Sequence, residues 1–272
     1  MQASSRWTPP QGTLGRIIDE ARIRAASLVE RRAELVGALQ NAPVPPSLAK
    51  ALRRKDVAVL AEVKRRSPSK GAIAPALDAV QQATAYRKGG AAGVSVLTEP
   101  RHFGGSTDDL VAVRARAGLP VLKKDFHVDA IQLVEARALG ASAALLIARA
   151  LPPDHLISLV DEGKALGLEL LVEIRDEDEL ETAIRSGAPM IGVNNRNLET
   201  LEIDPATSDR LIPLIPADRV AIAESGVQSR AHVVRFASLG ADAVLVGSVL
   251  SASGDPAAAV RAISDVERRS RG

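Results

Sequence analysis

Gly140-Ala141-Ser142-Ala143-Ala144-Leu145-Leu146-Ile147 and Gly240-Ala241-Asp242-Ala243-Val244-Leu245-Val246 are two copies of one unit, a Gly-Ala pair followed by a short apolar run that ends at polar residues. The unit recurs at Gly90-Ala91 before Val94-Ser95-Val96-Leu97 and at Gly187-Ala188 before Met190-Ile191-Gly192-Val193. A glycine behind an amphipathic stretch reads as the left-handed residue that ends a helix. Gly118 before Pro120-Val121-Leu122 and Gly167 before Leu168 to Val172 fill the gaps, giving steps of roughly 20 to 28 residues, the length of one strand and one helix. Val57 to Ala61 upstream and Val220 to Ala223 downstream bring the strands to eight. Short, nearly continuous apolar strands separated by helices belong to a parallel sheet buried on both faces. The expected fold is α/β, a (β/α)8 TIM barrel. An open doubly wound sheet is the competitor, but no G-x-G-x-x-G and no Walker loop follows the first strand.

Upstream of the first strand, Leu14 to Leu39 carries one helical pattern, and Pro43, Pro45 and Pro46 break it. The expected organisation is a helical extension over residues 1–50 packed on a barrel of residues 51–272, a single domain overall. The 272 residues are 46% apolar, enough for a large aliphatic core. The net charge of +2 is a small excess of 35 basic over 33 acidic residues spread along the chain, and aromatics are 2%, so neither a basic patch nor stacking platforms point to nucleic acid. With no Cys, disulfides, thiol nucleophiles and thiolate metal sites are excluded. Met1 to Leu14 holds no run fit for a signal peptide and no later run approaches membrane-spanning length, so no membrane partner and a cytoplasmic location are expected.

In such a barrel the chemistry sits at the C-terminal strand ends, so the polar residues there are the candidates. The first strand ends in Glu62-Val63-Lys64, and alternation puts Glu62 and Lys64 on one wall. The third ends in Lys123-Lys124-Asp125-Phe126, the fifth in Glu173, the sixth in Asn194-Asn195-Arg196 and the seventh in Glu224-Ser225-Gly226. On the sixth, Gly192, Asn194 and Arg196 share a face, with Gly192 leaving space inside. Barrel mouths also carry charges that only pair with one another, but a set this dense at strand termini argues for acid–base work. After the last two strands, Ser225-Gly226 and Gly247-Ser248 leave backbone N–H groups open for phosphate, and Asp255-Pro256 is suited to start a nearby short helix.

Glu62-Val63-Lys64-Arg65-Arg66-Ser67-Pro68-Ser69-Lys70-Gly71 resembles the signature of the indole-3-glycerol-phosphate synthase family. The resemblance runs on through Ser95 to Glu99, Phe103-Gly104-Gly105-Ser106, Lys124-Asp125-Phe126, Leu171 to Ile174, Ile191 to Arg196, Ala223 to Val227 and Val246-Gly247-Ser248. It implies a small anionic sugar phosphate as substrate, 1-(2-carboxyphenylamino)-1-deoxyribulose 5-phosphate, which loses carbon dioxide and water to give indole-3-glycerol phosphate on the way to tryptophan. It implies no cofactor and no metal, and a monomer or weak homo-oligomer is expected. Ring closure needs a proton on the ketose oxygen, which Lys124 or Lys64 can deliver, and dehydration needs a base, for which Glu173 and Glu62 are candidates. Asn194 belongs with this catalytic group. Arg196 and Ser67 are expected to orient the substrate carboxylate, Phe103 and Phe126 to wall its ring, and Glu224 to hold a hydroxyl or a lysine. Lys64, Ser225, Gly226, Gly247 and Ser248 are expected on phosphate.

The sequence departs from the family pattern at Arg66, His127, Ile131 and Asn197, with Arg66 and His127 expected to flank the site, and at Leu48 in the extension. Two rivals stand beside this reading. Sister-barrel aminosugar-phosphate isomerases use either a Cys and Asp pair, which this Cys-free chain lacks, or two carboxylates that Glu62 and Glu173 mimic but that leave Lys64 and Lys124 without a role. A non-catalytic phosphate-binding barrel subunit would bind ligand without turnover.

Overall fold

The computed structural model describes residues 7–271. The first six residues, which begin the stretch expected to lack a signal peptide and open the expected extension, lie outside the described residues, as does Gly272. Eight parallel strands close into a barrel: β1 (Ala58–Val63), β2 (Gly93–Leu97), β3 (Val121–Lys124), β4 (Ala143–Ile147), β5 (Glu169–Ile174), β6 (Met190–Asn194), β7 (Val220–Glu224) and β8 (Ala243–Val246). β8 pairs with β1 through Ala58↔Ala243 to Ala61↔Val246, which leaves no open edge in the barrel. A two-residue hairpin, Arg66–Ser67 with Gly71–Ala72, follows β1.

The connecting helices form where their ends are specified. Asp78, Asp129 and Asp176 cap the helices Ala79–Lys88, Ala130–Ala138 and Glu177–Ser186, with Asp129 and Gln132 in a reciprocal capping box. Gly90, Gly118, Gly140, Gly167, Gly187 and Gly240 all take positive φ between helix and strand, as the repeat pattern predicts. Because β5 registers Glu173 against Gly192, and β6 registers Asn194 against Glu224, the inward polar residues come to one level at the C-terminal mouth.

The pattern read as one helix from Leu14 to Leu39 is two, α1 (Gly12–Glu30) and α2 (Arg32–Asn41), with Arg31 out of helical geometry at φ −98° and ψ 10°. Both pack on Ala130–Ala138, and Leu14, Ile17, Ile18, Ala21 and Ala25 form the buried stripe of α1. The break lets each helix present its own apolar face, ending in Leu35 for α2. A third short helix, α3 (Leu48–Leu52), stops the N-terminal end of the barrel. Leu48 reaches so near Gly93 that a Cβ there would lie 2.6 Å from it, and Ser47 and Ala49 donate to the Glu169 carboxylate at the start of β5 (2.5 and 2.9 Å). Among the described residues no helix is long and apolar enough to cross a membrane.

Candidate active site

At the C-terminal mouth a cavity opens whose lining includes Glu62, Lys64, Lys124, Glu173, Asn194 and Glu224. At its centre the Lys124 ammonium donates to Glu173 at 3.0 Å and to Glu224 at 3.3 Å. The second Glu173 oxygen accepts from Asn194 Nδ2 at 2.8 Å, which fixes the carboxylate's plane. Asn194 Oδ1 in turn accepts the Arg196 N–H at 2.9 Å. Beside this group Glu62 and Lys64 pair at 2.5 Å on the wall that strand alternation assigns them.

Two glycines make room for these side chains. A Cβ on Gly192 would run into Glu224 Oε1, and one on Gly247 would run into Glu62 Oε1 and lie 3.1 Å from Lys64 Nζ. The space that Gly192 leaves inside the barrel is therefore filled by the Glu224 carboxylate. Gly247 leaves space for the Glu62–Lys64 pair as well as an open backbone.

Burial alone would favour a neutral Lys124, but Glu173, Glu224 and Glu62 outweigh it and hold the ammonium above the ordinary lysine range. Burial, joined by the Glu173 and Glu62 charges and opposed by Lys124, pushes Glu224 up to about 8. One ammonium thus serves two carboxyl groups.

Among the apolar lining residues Leu97, Leu145 and Ile147, the rings of Phe103 and Phe126 meet 6.0 Å apart at 39°, a tilted aromatic pair on the cavity wall. Ser225 at φ 62° and Gly226 at φ 88° turn the chain at the end of β7, and both line the cavity with Gly247 and Ser248. Helix Pro256–Ile263 does start at Asp255, but the Asp255 carboxylate caps that helix itself and neither Asp255 nor Pro256 lines the cavity. The helix beside it is the four-residue Ser248–Ser251.

A family model described as indole-3-glycerol phosphate synthase matches residues 14–263, which takes in every strand and every residue named at the mouth. The chain belongs to the indole-3-glycerol phosphate synthase family. Curated relatives under that name include one from a Nocardioides species, 51% identical over 235 residues, covering 86% of this chain and 90% of the relative. Another, from Mycolicibacterium gilvum, is 48% identical over 240 residues and covers 88% of each. Among solved structures, 3-hexulose-6-phosphate synthase from Salmonella typhimurium superposes with a TM-score of 0.59 at 17% identity over 76% of this chain and 96% of that one. KGPDC from Streptococcus mutans gives 0.58 at 14%, over 76% of this chain and 95% of that one. At those identities the likeness is one of fold.

For a member of the indole-3-glycerol phosphate synthase family, the residues expected from sequence come together: Ser67, Phe103, Phe126, Arg196, Ser225, Gly226, Gly247 and Ser248 all line the cavity with the central acids and bases. Arg196 is partly committed, since Nη1 donates to Leu201 O at 2.7 Å. Asn195 faces away, donating to the Glu224 and Ser225 carbonyls (3.2 and 3.1 Å) and accepting from the Ser208 N–H, so it ties the loops rather than the ligand. Against expectation His127 does not flank the cavity. It is buried behind the barrel wall, where Nδ1 donates to Leu145 O at 2.7 Å and Nε2 faces the buried Lys123 at 3.3 Å. Burial and Lys123 lower its pKa to about 3, so the ring is neutral and Nε2 accepts from the ammonium.

Sequence reasoning missed Thr13, Leu14 and Ile17 of α1, and Ser69 and Lys70 of the hairpin loop, all of which line the cavity. The apolar period of α1 marks Leu14 and Ile17 as buried but says nothing of what they cover. Glu20, Glu99 and His102 form the one grouping of metal-ligating types among the described residues, and none of the three lines the cavity. They are already engaged: Glu99 accepts the N–H groups of Arg101, His102 and Phe103, while Glu20 pairs with Arg101 and His102.

Proposed function

We propose that this chain converts 1-(2-carboxyphenylamino)-1-deoxyribulose 5-phosphate to indole-3-glycerol phosphate, carbon dioxide and water, and so acts as a carboxy-lyase in tryptophan synthesis. The observation that carries the proposal is the Lys124 ammonium held between Glu173 and Glu224 at the centre of the cavity (3.0 and 3.3 Å). The ring carbon that bears the carboxylate attacks the ketose carbon, a carbon–carbon bond forms, and Lys124 delivers its proton to the carbonyl oxygen. The carboxylate then leaves as carbon dioxide, and its bonding pair restores the aromatic ring. In the dehydration the ring nitrogen pushes out the new hydroxyl as water, an ammonium supplies the leaving proton, and a carboxylate takes a proton from the adjacent methylene.

Glu173 suits the base, because Asn194 fixes its orientation and Lys124 steadies its charge. Glu62 with Lys64 forms a second acid–base pair at 2.5 Å. The nearness of Lys64 Nζ to the Gly247 backbone supports a role for that lysine in holding phosphate, alongside Ser225, Gly226 and Ser248. Arg196 and Ser67 face the substrate carboxylate in this reading, and Phe103 and Phe126 wall its ring.

The same reading takes the chain to act as a monomer or weak homo-oligomer in the cytoplasm, with the extension over residues 1–50 and the barrel as one domain. The test is genetic. Expression should restore growth without tryptophan to a strain lacking the synthase and fail in one lacking only the preceding isomerase. Rescue of the isomerase strain alone would contradict the proposal.

A further inference from the structure

The start of α1 lacks the usual means of ending a helix. Its N-cap, Gln11, makes no side-chain hydrogen bond, and the first turn contains no acidic residue. The missing acceptor and charge come from Glu199, in the loop after β6. Glu199 Oε1 accepts the Gln11 N–H at 2.6 Å, and its main-chain oxygen accepts the Thr13 N–H at 3.2 Å. The carboxylate is itself held by Arg149, just beyond β4, through Nε at 3.2 Å and Nη2 at 3.0 Å. Arg149 Nη1 reaches back to Thr8 O at 2.7 Å, and Asn197 Oδ1 accepts the Glu199 N–H at 2.8 Å, which sets the loop.

Gly12 belongs to the same joint. It sits at φ +60°, and a Cβ there would lie 2.5 Å from Glu199 O, so only glycine allows this approach. On one side of the joint Thr13, Leu14 and Ile17 line the active-site cavity, and on the other Arg196 and Leu198 do. A second cavity is bounded by Leu14, Arg149, Glu173, Leu198 and Glu199, so the joint and Glu173 share one wall.

We infer that Glu199 is a positioning residue for substrate binding: with Arg149 and Gly12 it fixes the start of α1 over the cavity and couples that roof to the Arg196 loop. This rests on the reaction proposed above. A preformed roof contributes to binding in ground and transition states alike, so its loss raises KM and spares kcat. The test compares the parent with Glu199→Ala, Glu199→Gln and Gly12→Ala, using steady-state kinetics and amide hydrogen exchange at Gln11 and Thr13.

In Glu199→Ala, KM should rise about tenfold with kcat within about twofold, and the Gln11 and Thr13 amides should lose protection. Glu199→Gln, which keeps an acceptor oxygen but no charge, should fall between, and Gly12→Ala should match Glu199→Ala without touching either charged partner. A parental KM in Glu199→Ala beside faster exchange at those amides would overturn the inference, as would a fall in kcat alone. A parent that turns nothing over contradicts the reaction, whereas an active parent with an indifferent Glu199→Ala contradicts the positioning role only.

Discussion

Gly192 has no side chain where Glu224 needs the room, and this single absence sets the distance from Glu224 to Lys124. Gly192→Ala should displace the carboxylate and lower kcat by roughly ten- to a hundredfold while the far-ultraviolet spectrum stays parental. Unchanged kcat would mean that the pair does not depend on that space. Strand alternation was enough to place Glu62 with Lys64, and Gly192 with Asn194 and Arg196, because a period of two survives any small error in strand ends. It did not reveal what Gly192 makes room for, since the occupant comes from the neighbouring strand. Nor did position alone separate Lys124 in the cavity from Lys123 behind the wall, where Lys123 meets Glu135 at 3.0 Å and His127 at 3.3 Å.

The loop after β6 shows what one buried amide does for a whole element. Asn195 uses both Nδ2 hydrogens on the Glu224 and Ser225 carbonyls and its Oδ1 on the Ser208 N–H, so it joins β6, the end of β7 and helix Ala206–Leu211. Asn195→Ala strands those groups and should cost about 2–3 kcal/mol, read as a lower denaturant midpoint with an unchanged slope. A loss under about 0.5 kcal/mol would show that the loops hold without it. Element order was legible from the glycine punctuation, which stands between helix and strand before β2, β3, β4, β5, β6 and β8, and the eight strands stand where the apolar runs predict. The break at Arg31 was not, because Arg31 carries no proline or glycine signal and the bend answers to packing on Ala130–Ala138. The placement of α1 over the cavity was equally hidden: it depends on Glu199 and Arg149, far along the chain from the helix they hold.

Across the molecule, opposed shifts at three buried groups shape the dependence of stability on pH. His127 falls from 6.5 to about 3 by burial and by Lys123, so the unfolded chain takes up a proton the folded chain refuses. Its contribution is complete above pH 6.5 and is lost as pH falls toward about 3. Asp125 is lowered from 3.8 to about 2, since Lys123, His127 and Arg24 outweigh its burial, and its contribution is lost as pH falls through that lower window. Glu224 runs the other way: raised from 4.5 to about 8, it favours the folded state below 4.5 and loses that contribution as pH rises to about 8. Glu224→Gln, a mimic of the protonated acid, should therefore lose less stability than the parent, or gain some, on going from about pH 5 to about pH 8, measured by urea unfolding at each pH. An identical difference in both proteins would mean that Glu224 is ionised throughout.

The most direct test of the account is the appearance of indole fluorescence when the purified chain meets 1-(2-carboxyphenylamino)-1-deoxyribulose 5-phosphate, run beside Lys124→Ala. The parent should turn the substrate over, and the folded variant should lose about a hundredfold to ten-thousandfold in kcat. A folded parent that gives no signal, or a Lys124→Ala variant as fast as the parent, would contradict the account.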